Sequence, residues 1–241
     1  MRVLVTPDYR TLSEEAAALV ARAIRAKPDI TLGLPTGNTP LGMYEELIRR
    51  HRDESLDFSR VQTFNLDEYL GLAPDHPQSY HVYMRDRFFD HVNIAAENTH
   101  IPDGSPGRDA DAECRRYEDA IRGSGGIDLL IVGIGANGHI AFNEPGSSFE
   151  SHTRVVALAT QTIENAKRHF PNDANIPTSA MTIGIRTILN ARRILLLASD
   201  PSKAEAVERT LRDPISESVP ASALRLHSDV IAILDESARQ R

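Results

Sequence analysis

Apolar positions along the chain switch period again and again. Short β-branched or aliphatic runs at Arg2 to Thr6, Ile30 to Leu34, Val61 to Asn65, Leu129 to Gly133, Val155 to Leu158, Ile194 to Ala198 and Val230 to Leu234 predict strands. Between them the apolar residues recur at helical spacing. In the first such stretch Leu12, Ala16, Leu19, Val20 and Ala23 share a face, and Thr11 with Glu14 has capping-box spacing, which predicts a helix over Thr11 to Ala26. Leu41 to Arg52, Ser79 to Val92, Asp109 to Arg122, Thr160 to Phe170 and Ser202 to Arg212 read as further helices. Strands alternating with helices predict an α/β chain built on a mostly parallel sheet with helices on both faces.

No internal repeat, low-complexity tract or long linker divides the sequence, so residues 1–241 are expected to form a single domain. Residues 73–78 and 101–107 read as Pro/Gly/Asp loops, and 171–178 as a polar connector after a helix. The region around 158–181 is a candidate mobile lid.

Composition removes several classes of protein. With 41% hydrophobic and 25% charged residues the chain is neither disordered nor fibrous. A formal net charge of -7 provides no basic field for nucleic acid or an anionic membrane, so an anionic ligand needs a local cationic pocket. Cys114 is the single cysteine, which excludes an internal disulfide and a structural zinc site of several thiolates; its charged surroundings suggest a solvated or half-buried helix position. The first residues lack the apolar stretch of a signal peptide and no run of about 18 apolar residues occurs, so a soluble, cytoplasmic protein is expected.

Four segments carry candidate chemistry. In LGLPTGNTP a predicted strand enters a loop of Thr36, Gly37, Asn38 and Thr39, with Thr39 as expected N-cap and Pro40 at the first helical position. Free N–H groups at such a helix start suit a phosphate, although the same pattern also makes an ordinary strand-to-helix turn. In TFNLDEYLGL, Asp67 and Glu68 follow a strand, where the ligand crevice of an α/β sheet lies; adjacent acids on an extended segment point opposite ways, so one is expected to face a site. The third, GIGANGHIAFNEPGSSF, is a Gly-rich loop carrying Asn137, His139 and Glu144, the parts of an oriented acid/base. It does not continue as the long helix of a dinucleotide site, and no second histidine stands at metal-ligand spacing, so neither a cofactor nor a metal is expected. In SDPSKAEAV, Lys203 stands at a helix start, where an ammonium opposes the helix dipole unless an anion offsets it; Arg168 could supply a second cation.

Taken together, PTGNTP, FNLDEYLGL, GIGANGHIAFNEPGSSF, the HPQSY-to-FFDHV stretch and SxxKA closely resemble the glucosamine-6-phosphate deaminase (isomerase) family, in family order from about residue 30 to 235. The resemblance implies a Rossmann-like fold shared with sugar-phosphate isomerases and 6-phosphogluconolactonases. It implies cofactor-free conversion of glucosamine 6-phosphate to fructose 6-phosphate and ammonia, in amino sugar catabolism. On the matching positions it makes Asp67 the base that moves a proton between carbons 2 and 1, His139 the ring-opening residue, and Glu144 the acid that sets its protonation. Phosphate contacts fall on Gly37 to Thr39, Arg168 and Lys203. The chain departs from the pattern at Asn137, where some members have Asp; an amide orients His139 without stabilising its cation as a carboxylate would. It also departs at Val156, where regulated members that resemble this chain at Arg154 carry a lysine, so activation by N-acetylglucosamine 6-phosphate is not carried over.

Two competing readings share the fold. A 6-phosphogluconolactonase-like hydrolase would use a similar histidine loop, but the FNEP and FNLDEY continuations favour the deaminase. A sugar-phosphate sensor usually adds a helix-turn-helix segment, which is not expected for this sequence. The expected partner is a small sugar phosphate, with no nucleic acid and no membrane; a homo-oligomer is left open.

Overall fold

Along the central strand Leu129–Gly133, side chains alternate between two apolar layers. Leu129 and Ile131 join one and Leu130 and Val132 the other. Such two-sided burial requires cover on both faces of the sheet. The computed structural model describes residues 1–167 and 176–239. The elements in chain order are β1 (Arg2–Thr6), α1 (Tyr9–Ala26), β2 (Thr31–Leu34), α2 (Leu41–Glu54), β3 (Gln62–Asn65), β4 (Asp67–Tyr69), α3 (Tyr80–Arg87), β5 (Thr99–His100), α4 (Ala110–Gly123) and β6 (Leu129–Gly133). They continue as β7 (Arg154–Ala157), α5 (Thr160–Lys167), β8 (Ser179–Thr182), α6 (Ile185–Leu189), β9 (Arg193–Ala198), α7 (Ala204–Arg212) and β10 (Val230–Asp235).

Among the described residues, seven strands pair in the order β1-β10-β9-β6-β2-β3-β5, every neighbouring pair parallel. Residues of α1, α2 and α3 pack on one face, and residues of α4, α6 and α7 on the other. The expected α/β sheet with helices on both faces is therefore present. The chain leaves β2 towards β3 on one side and returns at β6 on the other, which opens a crevice at the carboxyl ends of these strands. No helix among the described residues is long and apolar enough to cross a membrane.

A second, three-stranded sheet was not expected. It is antiparallel, in the order β4-β8-β7, with Asp67 opposite Thr182 and Thr182 opposite Arg154. Two of its strands, β4 (Asp-Glu-Tyr) and β8 (Ser-Ala-Met-Thr), are too short and polar for their period to show. The predicted strand at Val155 to Leu158 thus exists as β7, but it pairs here and not in the parallel sheet.

Several local expectations need correction. Asp8, not Thr11, caps α1 by accepting the Thr11 N–H at 2.7 Å, so the helix starts earlier. Pro40, not Thr39, is the N-cap of α2 and makes no side-chain cap bond; its backbone is already helical, so the expected cap has nothing to do. The helix expected to reach Val92 stops at Arg87 and is followed by the 3-10 turn Phe89–His91. Cys114 is buried rather than solvated, since it lies on the same stripe of α4 as the buried Tyr117 and Ile121.

Candidate active site

The carboxyl ends of β2, β3, β6 and β9 bring the four candidate segments to one cleft of about 240 Å³. Thr36, Gly37, Asn38, Thr39, Asp67, His139 and Lys203 line it, with Tyr80, Ala141 and Phe142. Asn137 and Glu144 stand behind His139 and are bonded to it or to each other. Arg168, the second expected cation, lies outside the described residues.

Three tyrosines that the sequence reading did not single out hold the loop after β2. Tyr44 donates to the Pro35 carbonyl at 2.6 Å, Tyr83 to the Gly37 carbonyl at 2.6 Å, and the Tyr9 hydroxyl lies 3.0 Å from the Asn38 carbonyl while accepting the Gly42 N–H at 2.8 Å. Their carbonyls tied down from outside, the N–H groups of Gly37, Asn38 and Thr39 find no acceptor among the described residues. That is the arrangement of an anion cradle. Gly37, at φ 93°, takes a left-handed conformation that a Cβ would oppose.

Lys203 closes the cradle from the other side, on the 3-10 turn Pro201–Lys203 that precedes α7. Its pKa is lowered by burial, with Asp200 acting against the shift, and no carboxylate among the described residues reaches ion-pair distance. The turn is set by Asp200, which accepts the Ser202 N–H at 2.8 Å and holds φ at 95°. A half-buried ammonium without an ion-pair partner favours an incoming anion.

Asp67 and Glu68 diverge as an extended segment requires. Asp67 turns into the cleft and, among the described residues, receives no hydrogen bond; burial and then the charge of Glu68 push its carboxyl up to about 8. Glu68 turns the other way and caps α3, accepting from Ser79 Oγ at 2.6 Å and from the Tyr80 and Tyr69 N–H groups at 2.8 Å each. Burial raises its pKa too, against those donors. Its contacts tie β4, which carries Asp67, to α3, which carries Tyr80.

Behind His139 the Asn137 carboxamide links its ring to Glu144. Its Nδ2 donates to Glu144 at 2.7 Å, and its oxygen stands 2.8 Å from His139 Nδ1, which is also 3.5 Å from Glu144 Oε1. An acceptor at Nδ1 keeps the proton there and leaves Nε2 as the acceptor nitrogen of the neutral ring. Burial opposes the Glu144 charge, yet His139, Asn137 and Thr162 outweigh it and hold its pKa below the ordinary value. Gly135 is required by this ring, since a Cβ there would stand 2.1 Å from His139. No group of three or more His, Cys, Asp or Glu among the described residues is placed to hold a metal ion.

A parallel sheet with a carboxylate, a histidine and an anion cradle at its carboxyl edge defines an α/β protein shaped for a small anionic substrate. The chain belongs to the family described as glucosamine-6-phosphate isomerases/6-phosphogluconolactonase, whose model matches residues 9–232. Within it, the chain is 51% identical to glucosamine-6-phosphate deaminase 1 of Bacillus subtilis over 238 residues, covering 99% of this chain and 98% of the relative. It is 50% identical to the glucosamine-6-phosphate deaminase of Thermoanaerobacter sp. (strain X514), covering 99% and 94%. The solved structure of a monomeric glucosamine-6-phosphate deaminase superposes with a TM-score of 0.96 at 51% identity, covering 99% of this chain and 98% of that one. A 6-phosphogluconolactonase from Leishmania guyanensis shares the fold, with a TM-score of 0.78 at 23% identity and coverage of 98% and 97%.

Proposed function

We propose that this chain is a glucosamine-6-phosphate deaminase that isomerises and deaminates glucosamine 6-phosphate to fructose 6-phosphate and ammonia. The observation that carries the reading is the meeting, in one cleft, of an anion cradle with a buried carboxyl and an oriented histidine. The cradle at Thr36 to Thr39 and Lys203, with Arg168 as second cation, holds the phosphate, and this remote binding positions the reacting carbons. His139 moves the proton that opens the sugar ring, with Asn137 orienting it and Glu144 charged beside it. Asp67 then takes the proton from carbon 2 of the open chain and returns it to carbon 1. The resulting imine at carbon 2 adds water and releases ammonia, leaving the ketose.

Burial, and then the charge of Glu68, push the Asp67 carboxyl up to about 8, and no cation among the described residues stands at ion-pair distance as its partner. A substrate whose amino group is cationic supplies that partner and draws the carboxyl into its basic form. An unaminated lactone supplies no such charge, which favours the deaminase over lactone hydrolysis. A lid over 158–181 belongs to this reading; its residues 168–175 lie outside the described ones, and Thr162 in the described part donates to Glu144 at 3.2 Å. So does a cytoplasmic location, and a homo-oligomer stays compatible with it.

The test is a coupled assay of ammonia and fructose 6-phosphate with glucosamine 6-phosphate, galactosamine 6-phosphate and 6-phosphogluconolactone as substrates. Stoichiometric ammonia and ketose from an amino sugar phosphate is the expected result. Hydrolysis of the lactone alone would overturn the reading.

A further inference from the structure

The stretch between His139 and Ser147 is fastened to the small antiparallel sheet. Asp67, Thr182 and Arg154 lie on one rung across β4, β8 and β7, and side chains directly opposite one another in antiparallel strands project from one face. Thr182, fully buried, accepts the Phe142 N–H at 3.1 Å. Arg154 reaches further along the same stretch, donating from Nη1 to Asn143 at 2.8 Å and from Nη2 to Ser147 at 3.2 Å. The next rung on the same face, Tyr69, Ala180 and Val156, forms an apolar seat with Phe142.

Every polar atom of the buried Asn143 side chain is thereby used. Its Nδ2 donates to the carbonyls of Ile140 at 3.0 Å and Ile183 at 2.9 Å, and its oxygen takes Arg154. The bend it closes pairs Ile140 with Asn143 and places Ala141, a cleft residue, at φ 50°. A left-handed conformation at a residue with a Cβ persists where its surroundings impose it. Glu144 follows Asn143 directly, and His139 precedes Ile140. Arg154 itself has no carboxylate at ion-pair distance among the described residues, so its contacts on this side are to the loop.

We infer that Arg154 and Thr182 are positioning residues that fix the His139, Asn137 and Glu144 assembly at a set distance from Asp67, the third member of their rung. Two ladder spacings separate the backbone of Asp67 from that of Arg154, roughly 10 Å. The small sheet thus acts as a spacer between the base and the ring-opening group. The meaning of that spacing rests on the functional reading above.

The experiment compares Arg154→Met with Arg154→Lys, and Thr182→Val with Thr182→Ser, measuring kcat, the inhibition constant of inorganic phosphate, and the ring NMR signals of His139. A small misplacement of reacting groups costs up to about 100-fold in rate. Arg154→Met and Thr182→Val should lower kcat by about 10-fold or more with phosphate inhibition changed less than about 2-fold, because the cradle is held by other elements. The His139 signals should move in both variants, and Lys and Ser should restore part of the rate and of the signals. Unchanged kcat and unchanged His139 signals would overturn the inference. So would parallel losses of kcat and phosphate affinity with no recovery in the conservative variants. If the wild-type chain releases no ammonia, the functional reading fails by itself, and the His139 signals still decide whether the clamp exists.

Discussion

Asp67 lines the cleft and Glu144 stands behind its His139, the same functional group in opposite surroundings. Glu144 is bonded by Asn137 and Thr162, lies beside His139, and is held below its ordinary pKa. Asp67 is buried, receives no hydrogen bond among the described residues, and is pushed up to about 8. Environment has divided two like groups into one that keeps its charge and one that readily holds a proton. A charge that is retained suits a group that orients and stabilises a neighbour; a carboxyl that can both hold and release a proton suits a group that carries one between two atoms.

The largest effect should come from removing basicity at Asp67 without changing shape. Asp67→Asn is expected to lower kcat by about two or more orders of magnitude with a much smaller change in KM, measured as steady-state ammonia release. Glu144→Gln tests the other side of the contrast and should cost less, about 10-fold in kcat, since it removes a supporting charge and keeps the hydrogen bond from Asn137. If Glu144→Gln proved the more damaging of the two, the roles would have to be exchanged.

Lys203→Ala lies at the other end of the cleft and should act on binding. The expected result is a KM raised about 10-fold, the scale of one hydrogen bond to a charged group, with a smaller change in kcat. Inorganic phosphate should lose its inhibition in parallel.

The smallest effect is on stability. Asp67 has a folded pKa above its ordinary value of 3.8, so the folded state binds its proton more tightly than the unfolded chain. That contribution is fully present below the unfolded pKa and is lost as pH rises through the folded one. The Tm advantage of Asp67→Asn over wild type should therefore widen between about pH 5 and pH 8, measured by thermal denaturation. A gap that narrows with pH would reverse the assignment of Asp67 as the group that burial keeps protonated.

Much of this cleft was legible from local pattern. PTGNTP, FNLDEY and GHIAFNEP were located after predicted strands, and strand ends of a parallel sheet converge on one edge, so their meeting follows from the alternation of elements. The separation of Asp67 from Glu68 also follows, from the two-residue period of an extended segment. The tyrosine anchors were not legible. Tyr9, Tyr44 and Tyr83 come from three helices, and nothing in the spacing of one helix says which carbonyl of a distant loop its hydroxyl will meet. The N-cap of α2 was misplaced for a related reason, since Tyr9 from α1 takes the Gly42 N–H from outside the helix.

By itself, then, the order of residues determined the layered parallel sheet, its two apolar faces and the chemical types gathered at its carboxyl edge, because burial of alternating or helically spaced side chains is written into neighbouring positions. Only the tertiary structure decided the small sheet that pairs Asp67 with Thr182 and Thr182 with Arg154, the seat of Phe142, and the opposite pKa shifts of Asp67 and Glu144. Those depend on which distant backbones pair and on how many donors reach each carboxylate. Desolvation and hydrogen bonding are set by the surroundings of a group in space, and those surroundings exist only once the chain has folded.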